Sequence, residues 1–380
     1  MKIVYCITNL SLMRGIERGT IVRANAISQI ADNQVWICVT DDDGPPCIPL
    51  VEGVKLVDLD INYNDYGYGL RVLRKKRKLH HERLQAFLNE VCPDIVVSVG
   101  HHERNFLPYL KLDCHPVLVK ELRMEKHFRQ KLAKNWKRRQ IAKLIDFYEY
   151  NIVAPHYDAF VVLTEEEKER NWKNNPKVVV MHNCLIQQIE KKSDCTEKLA
   201  IALGTFTVQK NFLGLVRIWQ EVNRRHPDWK LEIWGDGEER AAVERDIKAR
   251  GLEATVSLMG YTKEPLQQMS RASIYLLTSI YEGMPNVLME AMSEGLASVS
   301  YTCPTGPRDL IDNGRTGFLV EMDDEKTFAD RVCQLIEQPE LRCAMGQAAL
   351  KASENYLPGP IIERWMQFFR RLVAEKRKKK

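Results

Sequence analysis

Glu282 and Glu290 stand eight residues apart in the run TSIYEGMPNVLMEAMSEG (278–295). Two carboxylates at that spacing, across a turn and a helix start, can hold hydroxyls on either side of an anion. The apolar run YLLTS (275–279) reads as a strand end, Gly283 and Pro285 as a turn, and NVLMEAMSEG as a helix with a glycine stop. Pro285 suits the first helical turn, where its missing N–H would be unpaired anyway. The backbone from Gly283 and Met284 through Asn286, Val287 and Leu288 then lies at the positive end of that helix, where an anion is favoured. A ligand with hydroxyls at both ends and phosphate between them, as a nucleotide sugar has, fits this arrangement. Acids also gather at helix N-termini merely to suit the macrodipole, so the surrounding residues must decide.

They do so through a resemblance. The run EGMPNVLMEA resembles the E-x7-E signature, EG-x-P-N-x-x-x-E-A, of the GT-B glycosyltransferases of family 4 (glycosyl transferases group 1), matching at Glu282, Gly283, Pro285, Asn286, Glu290 and Ala291. The resemblance implies that Glu282 contacts the donor sugar and Glu290 the ribose hydroxyls. The loop GTFTVQKN (204–211) looks like the family's GR-x-x-x-x-KN loop: Lys210 matches, whereas Thr205 occupies the arginine position. In the family both cations neutralise the donor diphosphate as charge develops on the leaving group. Arg14 or Arg308 is the expected substitute for the missing one. NLSLMRGIERGT (9–20) is similar to the family's first loop, with Gly15 allowing close backbone approach to a phosphate and Arg14 in place of a preceding glycine. IWGDGEER (233–240) and TCPTGPRDLIDNGRTGFLV (302–320) are family-like turns, the second placing Thr305–Pro307 near the nucleotide. Glu121, Arg123 and His101 are candidates for acceptor or donor-sugar contact. No metal is implied and no cofactor; Asp41-Asp42-Asp43 before GPP reads as an exposed turn rather than a metal motif.

Around these residues, strand-like and helix-like segments alternate. In the first half the strands are 2–8, 35–40, 54–60, 93–100, 116–122, 158–164 and 177–183; the pattern restarts with strands 198–206, 229–236, 255–260 and 274–279. Several are continuous apolar runs, which implies burial on both faces and a parallel sheet. The expected architecture is α/β: two facing Rossmann-like domains with a cleft between them. Residues 1–185 would form an acceptor-binding domain, 186–197 a polar linker, and 198–360 the nucleotide-sugar domain. Residues 361–380 would supply a helix crossing back to the first domain, with a basic tail. IIERWMQFFRRLV (361–373) puts Ile361, Trp365, Phe368, Phe369 and Leu372 on one face that must pack on something.

Composition narrows the class. The 380 residues are 44% hydrophobic and 28% charged, with mean hydropathy −0.35, and suffice for two cores. No apolar run reaches membrane-span length, and MKIVYCITNL enters a strand directly, so no signal peptide is expected. Ten cysteines without CxxC spacing suggest free thiols in a reducing cytoplasm. The net charge of +5 is unevenly spread. Residues 123–143 hold nine Lys/Arg against one Glu, and the apolar series Met124, Phe128, Leu132 and Trp136 beside them predicts an interfacial helix at an anionic membrane. No nucleic-acid motif accompanies the charge.

The resemblance thus implies a retaining transferase that moves a hexosyl or N-acetylhexosaminyl group from a nucleoside-diphosphate sugar, uridine preferred to guanosine. The acceptor would be lipid-linked or a surface polysaccharide at the cytoplasmic membrane face. The alternatives are a non-catalytic sugar-nucleotide-binding subunit of a polysaccharide assembly complex, favoured by Thr205, or an epimerase or phosphorylase on the same scaffold.

Overall fold

The continuous apolar runs become the buried strands of two parallel sheets in the computed structural model. It describes residues 1–12, 15–41, 43–63, 69–131, 133, 135–173, 175–186 and 189–378. The first sheet contains β1 (Lys2–Ile7), β2 (Gln34–Val39), β3 (Val54–Asp58), β4 (Ile95–Ser98), β5 (Val117–Glu121), β6 (Ala159–Val162) and β7 (Val178–Val180), in the order β3-β2-β1-β4-β5-β6-β7. The second contains β8 (Leu199–Leu203), β9 (Lys230–Trp234), β10 (Val256–Gly260), β11 (Ile274–Leu277), β12 (Ala297–Tyr301) and β13 (Gly317–Val320), in the order β10-β9-β8-β11-β12-β13. Every pairing is parallel, and helices join most successive strands, β2 and β3 being linked by a loop, so both units are Rossmann-like.

β12 and β13 are absent from the sequence reading, for an identifiable reason. Ser298 and Ser300 interrupt the apolar run of β12, yet both are fully buried, and their hydroxyls donate to the carbonyls of Leu296 (3.5 Å) and Tyr301 (2.9 Å). A serine that satisfies itself locally can occupy a sheet centre, and hydropathy alone does not reveal it.

Two compact units emerge: Met1–Leu163 with Lys168–Ile186 and Pro358–Lys380, and Thr164–Glu167 with Gln187–Leu357. The stretch read as a linker is strapped to the second unit. Lys192 pairs with the buried Glu294 at 3.1 Å, and the Arg342 guanidinium donates to the Cys195 carbonyl at 2.9 and 3.1 Å. The C-terminal helix Pro358–Lys378 belongs to the first unit, whose core receives Ile361, Trp365, Phe368 and Phe369. Trp365 lies against the Arg23 guanidinium, 4.2 Å from ring centroid to the carbon. Much of the basic tail is docked too: Lys376 pairs with Asp158 at 2.6 Å and Arg377 with Asp94 at 3.2 Å. Because this helix completes a core, Ile361→Val is expected to lower the stability of the first unit by about 1 kcal/mol, read from the denaturant midpoint. An unchanged midpoint would mean that the helix is only laid on the surface.

The 123–143 expectation is corrected. Met124 lies outside any helix, Phe128–Lys131 is a single turn, and Leu132 lies outside the described residues. A new helix, Trp136–Phe147, starts where Asn135 accepts from the Arg138 N–H at 2.9 Å. The short turn folds back because Asp146 accepts from Arg129 and Gln130, both at 2.8 Å. One continuous apolar face through 124, 128, 132 and 136 therefore does not form. Among the described residues no helix is long and apolar enough to cross a membrane.

Candidate functional site

In the second unit the strand order runs outward in both directions from β8, so the connections leave β8 and β11 on opposite faces of the sheet. Beyond the carboxyl ends of two such neighbouring strands a crevice opens, the usual ligand position in open α/β sheets. The loop after β8 carries Lys210 and the loop after β11 carries Glu282, and the two meet: Lys210 Nζ lies 2.6 Å from Glu282 Oε1. Their side chains are only 16% and 8% exposed, so little water screens the pair.

Each loop is held by the other. The Ile280 N–H donates to the Gln209 carbonyl at 2.8 Å, the Gln209 amide donates to the Tyr281 carbonyl at 3.0 Å, and the Thr278 hydroxyl donates to the Lys210 carbonyl at 3.0 Å. Asn211, in the left-handed region, caps the next helix by accepting from the Gly214 N–H. The loop after β12 closes the other side. Glu282 N–H donates to the Pro304 carbonyl at 2.8 Å, and the Thr305 hydroxyl to the Gly283 carbonyl at 3.0 Å. Gly306 has φ +105°, and a Cβ there would fall 2.6 Å from the Pro285 ring. Gly235, φ +136°, is tighter still: its Cβ would lie 1.9 Å from the Gly204 carbonyl oxygen, so the β8 and β9 loops touch only because the side chain is absent.

Glu290 projects from the helix Asn286–Ser293 and is buried. The helix begins one residue after Pro285, which sits at the cap in extended conformation rather than inside the first turn. Met284 and Leu288 are buried; Gly283, Asn286 and Val287 complete the segment. Tyr275 of β11 is fully buried, with the Leu203 backbone of β8 beside its hydroxyl and no side-chain hydrogen-bond partner for it among the described residues. Burial drives its pKa far up, and the negative fields of Glu282 and then Glu290 add to that. Both carboxylates therefore act on one spot. Ser279, also buried with no hydrogen-bond partner for its hydroxyl among the described residues, follows four residues later, just beyond β11. Tyr275, Ser279 and Gln209 were not legible as site residues: their places depend on which strands become neighbours.

The remaining candidates separate. Thr205 is exposed and gives no cation. Arg14 lies outside the described residues. Arg308, expected as a substitute, instead donates to Glu166 (3.2 Å), the Thr302 carbonyl (3.2 Å) and Glu321 (3.4 Å). In the first unit Gly15 opens the helix Gly15–Ser28 beyond β1. Glu121 and Arg123, at the end of β5, are buried in a cluster where Glu121 bridges Arg123 (2.6 Å) and Arg23, and Arg123 donates to Asn183. Their charges are committed to each other and to the core. His101 is exposed beyond β4, with Arg104 Nη1 3.4 Å from its Nδ1. Its loop is pinned by buried Lys120, which donates to the Ser98 hydroxyl and the Gly100 carbonyl. Asp41 is no exposed turn residue: it is buried and accepts from the Tyr63 N–H at 2.9 Å, while Asp42 lies outside the described residues. Among the described residues no three His, Cys, Asp or Glu side chains gather as a metal site. A cavity of about 870 Å³ lies in the first unit, lined by Leu107, His115, Pro116 and Lys376, and contains none of these carboxylates.

Comparison with known proteins follows the same division. Residues 186–352 match the family model described as glycosyl transferases group 1. An uncharacterized glycosyltransferase of Haemophilus influenzae is 31% identical over 211 residues, 55% of this chain and 60% of that protein. The amylovoran biosynthesis glycosyltransferase AmsD of Erwinia amylovora is 35% identical over 165 residues, 43% of this chain and 46% of its own. The chain thus spans less than two thirds of either relative. A crystal structure of an S. aureus TarM mutant with fondaparinux, alpha-GlcNAc-glycerol and UDP superposes with TM-score 0.76 at 15% identity, over 97% of this chain and 99% of that one. At that identity the likeness shows the fold, which is GT-B. Residues 186–352 are thus similar to glycosyl transferases group 1, and the two relatives are similar over their matched spans.

Proposed function

We propose, from that similarity and from the Lys210–Glu282 pair, that this chain is a retaining glycosyltransferase. It moves a hexosyl or N-acetylhexosaminyl group from a uridine-diphosphate sugar to a lipid-linked or surface-polysaccharide acceptor at the cytoplasmic face of a membrane. The observation that carries the reading is the meeting of a cation from the β8 loop with a carboxylate from the β11 loop at the switch point, with a second buried carboxylate on the following helix. The names of the relatives, an amylovoran biosynthesis enzyme among them, support the acceptor class, and the UDP bound to TarM supports the base.

In this reading Glu290 binds the ribose hydroxyls and the amides after Gly283 receive the diphosphate. Glu282 turns from Lys210 to a sugar hydroxyl, releasing the ammonium to the diphosphate. The bond from C1 to the diphosphate oxygen breaks as the acceptor oxygen forms its bond to C1 on the same face, and the departing oxygen takes the acceptor's proton. Configuration at C1 is thereby kept. Lys210 and the helix amides stabilise the charge that develops on the leaving group, so the step needs no metal.

The test is thermal unfolding with a panel of nucleoside diphosphates and their sugars, followed by transfer assays. UDP at a hundredfold its Kd is expected to add about 2.7 kcal/mol to stability, with GDP adding less. Product NMR should show the donor's anomeric configuration. Stabilisation without any transfer would favour the non-catalytic reading suggested by Thr205, isomer formation the epimerase one, and no response to any nucleotide would remove the proposal.

A further inference from the structure

The helix Trp136–Phe147, continued by the π-helical turn Tyr148–Val153, is anchored to the first unit along one side only. Ala142, Asp146, Glu149 and Val153 are buried there, and its two acids are turned inward: Asp146 pairs with Arg129 at 2.8 Å, and Glu149 with Arg129 at 2.9 Å and Arg104 at 3.2 Å. The outward side carries Ile141, Leu144, Ile145, Tyr148 and Ile152, with Leu144 70% and Ile141 56% exposed. These positions follow helical spacing and form one apolar stripe. Lys137, Arg138, Arg139 and Lys143 are exposed on the same helix, and it presents no outward acid.

We propose that this stripe docks the protein on an anionic lipid surface, apolar side chains entering the interface while Lys137 and Arg138, which border the stripe by helical spacing, meet acidic headgroups. The charge selects the occupant: a second copy seated on the stripe would bring Lys137 and Arg138 against the same two cations, with no outward acid on the helix to pair them. The inference rests on the proposed lipid-linked acceptor, which docking would bring to the enzyme in two dimensions, but it concerns a different surface from the donor site.

Sedimentation with vesicles tests it without nucleotide or sugar. The protein is expected to pellet with phosphatidylglycerol–phosphatidylcholine vesicles at low salt, and far less with phosphatidylcholine alone. Lys137→Gln with Arg138→Gln should weaken partitioning about thirtyfold, from the loss of two cations near the surface, and Leu144→Ser with Tyr148→Ser should abolish it. Unfolding midpoints of both variants should stay unchanged, since the substituted side chains are exposed. Equal pelleting of variants and parent would overturn the docking, as would no pelleting of the parent. So would self-association of the parent that the Leu144 variant loses while lipid binding is missing. Because the readout needs no transfer, a negative result here leaves the donor-site reading standing, and an inactive donor site leaves this one testable.

Discussion

Lys210→Met is expected to lower kcat by about two to three orders of magnitude, the usual effect of removing one donor aimed at developing charge. In this chain the effect should sit at the upper end. Where the resembling family places an arginine there is Thr205, and Arg308 is engaged with Glu166 and Glu321, so in the proposed reading Lys210 would bear the diphosphate charge with little help from those two positions. The same substitution leaves Glu282 almost buried without its partner, and breaking a buried ion pair in this way costs about 3–5 kcal/mol. Activity and stability therefore fall together, and a second variant is needed to separate them. Lys210→Met with Glu282→Gln removes the buried charge and should recover most of the stability with none of the rate. Single-turnover transfer and denaturant midpoints measure the two quantities. A single variant within threefold of the parent in kcat would show that another group neutralises the leaving diphosphate.

Lys210 and Glu282 could be found in the sequence, and Tyr275 could not. Both lie in short local runs that resemble the family's loops, and at Glu282 turn chemistry, a helix start and charge also coincide, whereas Lys210 without its resemblance reads as an ordinary loop lysine. Tyr275 looks like any aromatic residue of a buried strand; only the pairing of β11 with β8 and β12 puts its hydroxyl in the field of two carboxylates. Most strands legible in advance carry apolar runs or clear alternation, whereas β12 is broken by two buried, self-bonded serines. Residues 123–143 failed differently: i, i+4 spacing continued across Asn135, but the capping side chain ended one turn and began another helix. The exposed apolar residues lie downstream, at 141–152, and only burial on the opposite side defines them as a stripe. Asp41 likewise gained its anchor from Tyr63, 22 positions away, beyond the reach of local turn rules.

The two carboxylates should respond oppositely to UDP, which has a ribose and a diphosphate but no donor sugar. Glu290→Gln is expected to raise the Kd for UDP by about 10- to 100-fold, since hydrogen bonds to a charged acceptor are worth roughly 1.5–3 kcal/mol. Glu282→Gln removes nothing that UDP touches in the proposed mode. It also frees Lys210, otherwise held 2.6 Å from the carboxylate, to meet the diphosphate, so UDP should bind equally well or more tightly. Transfer should nonetheless slow in that variant, because the sugar loses the group that orients it. Titration calorimetry with UDP, set beside single-turnover rates with the UDP-sugar, resolves the pair. If both variants weakened UDP by one common factor, the carboxylates would be shaping the loop together, and the division between a ribose end and a sugar end would have to be abandoned. If instead only the Glu282 variant weakened UDP, the ligand would lie in the reverse direction along the helix start, with its base toward the β11 loop.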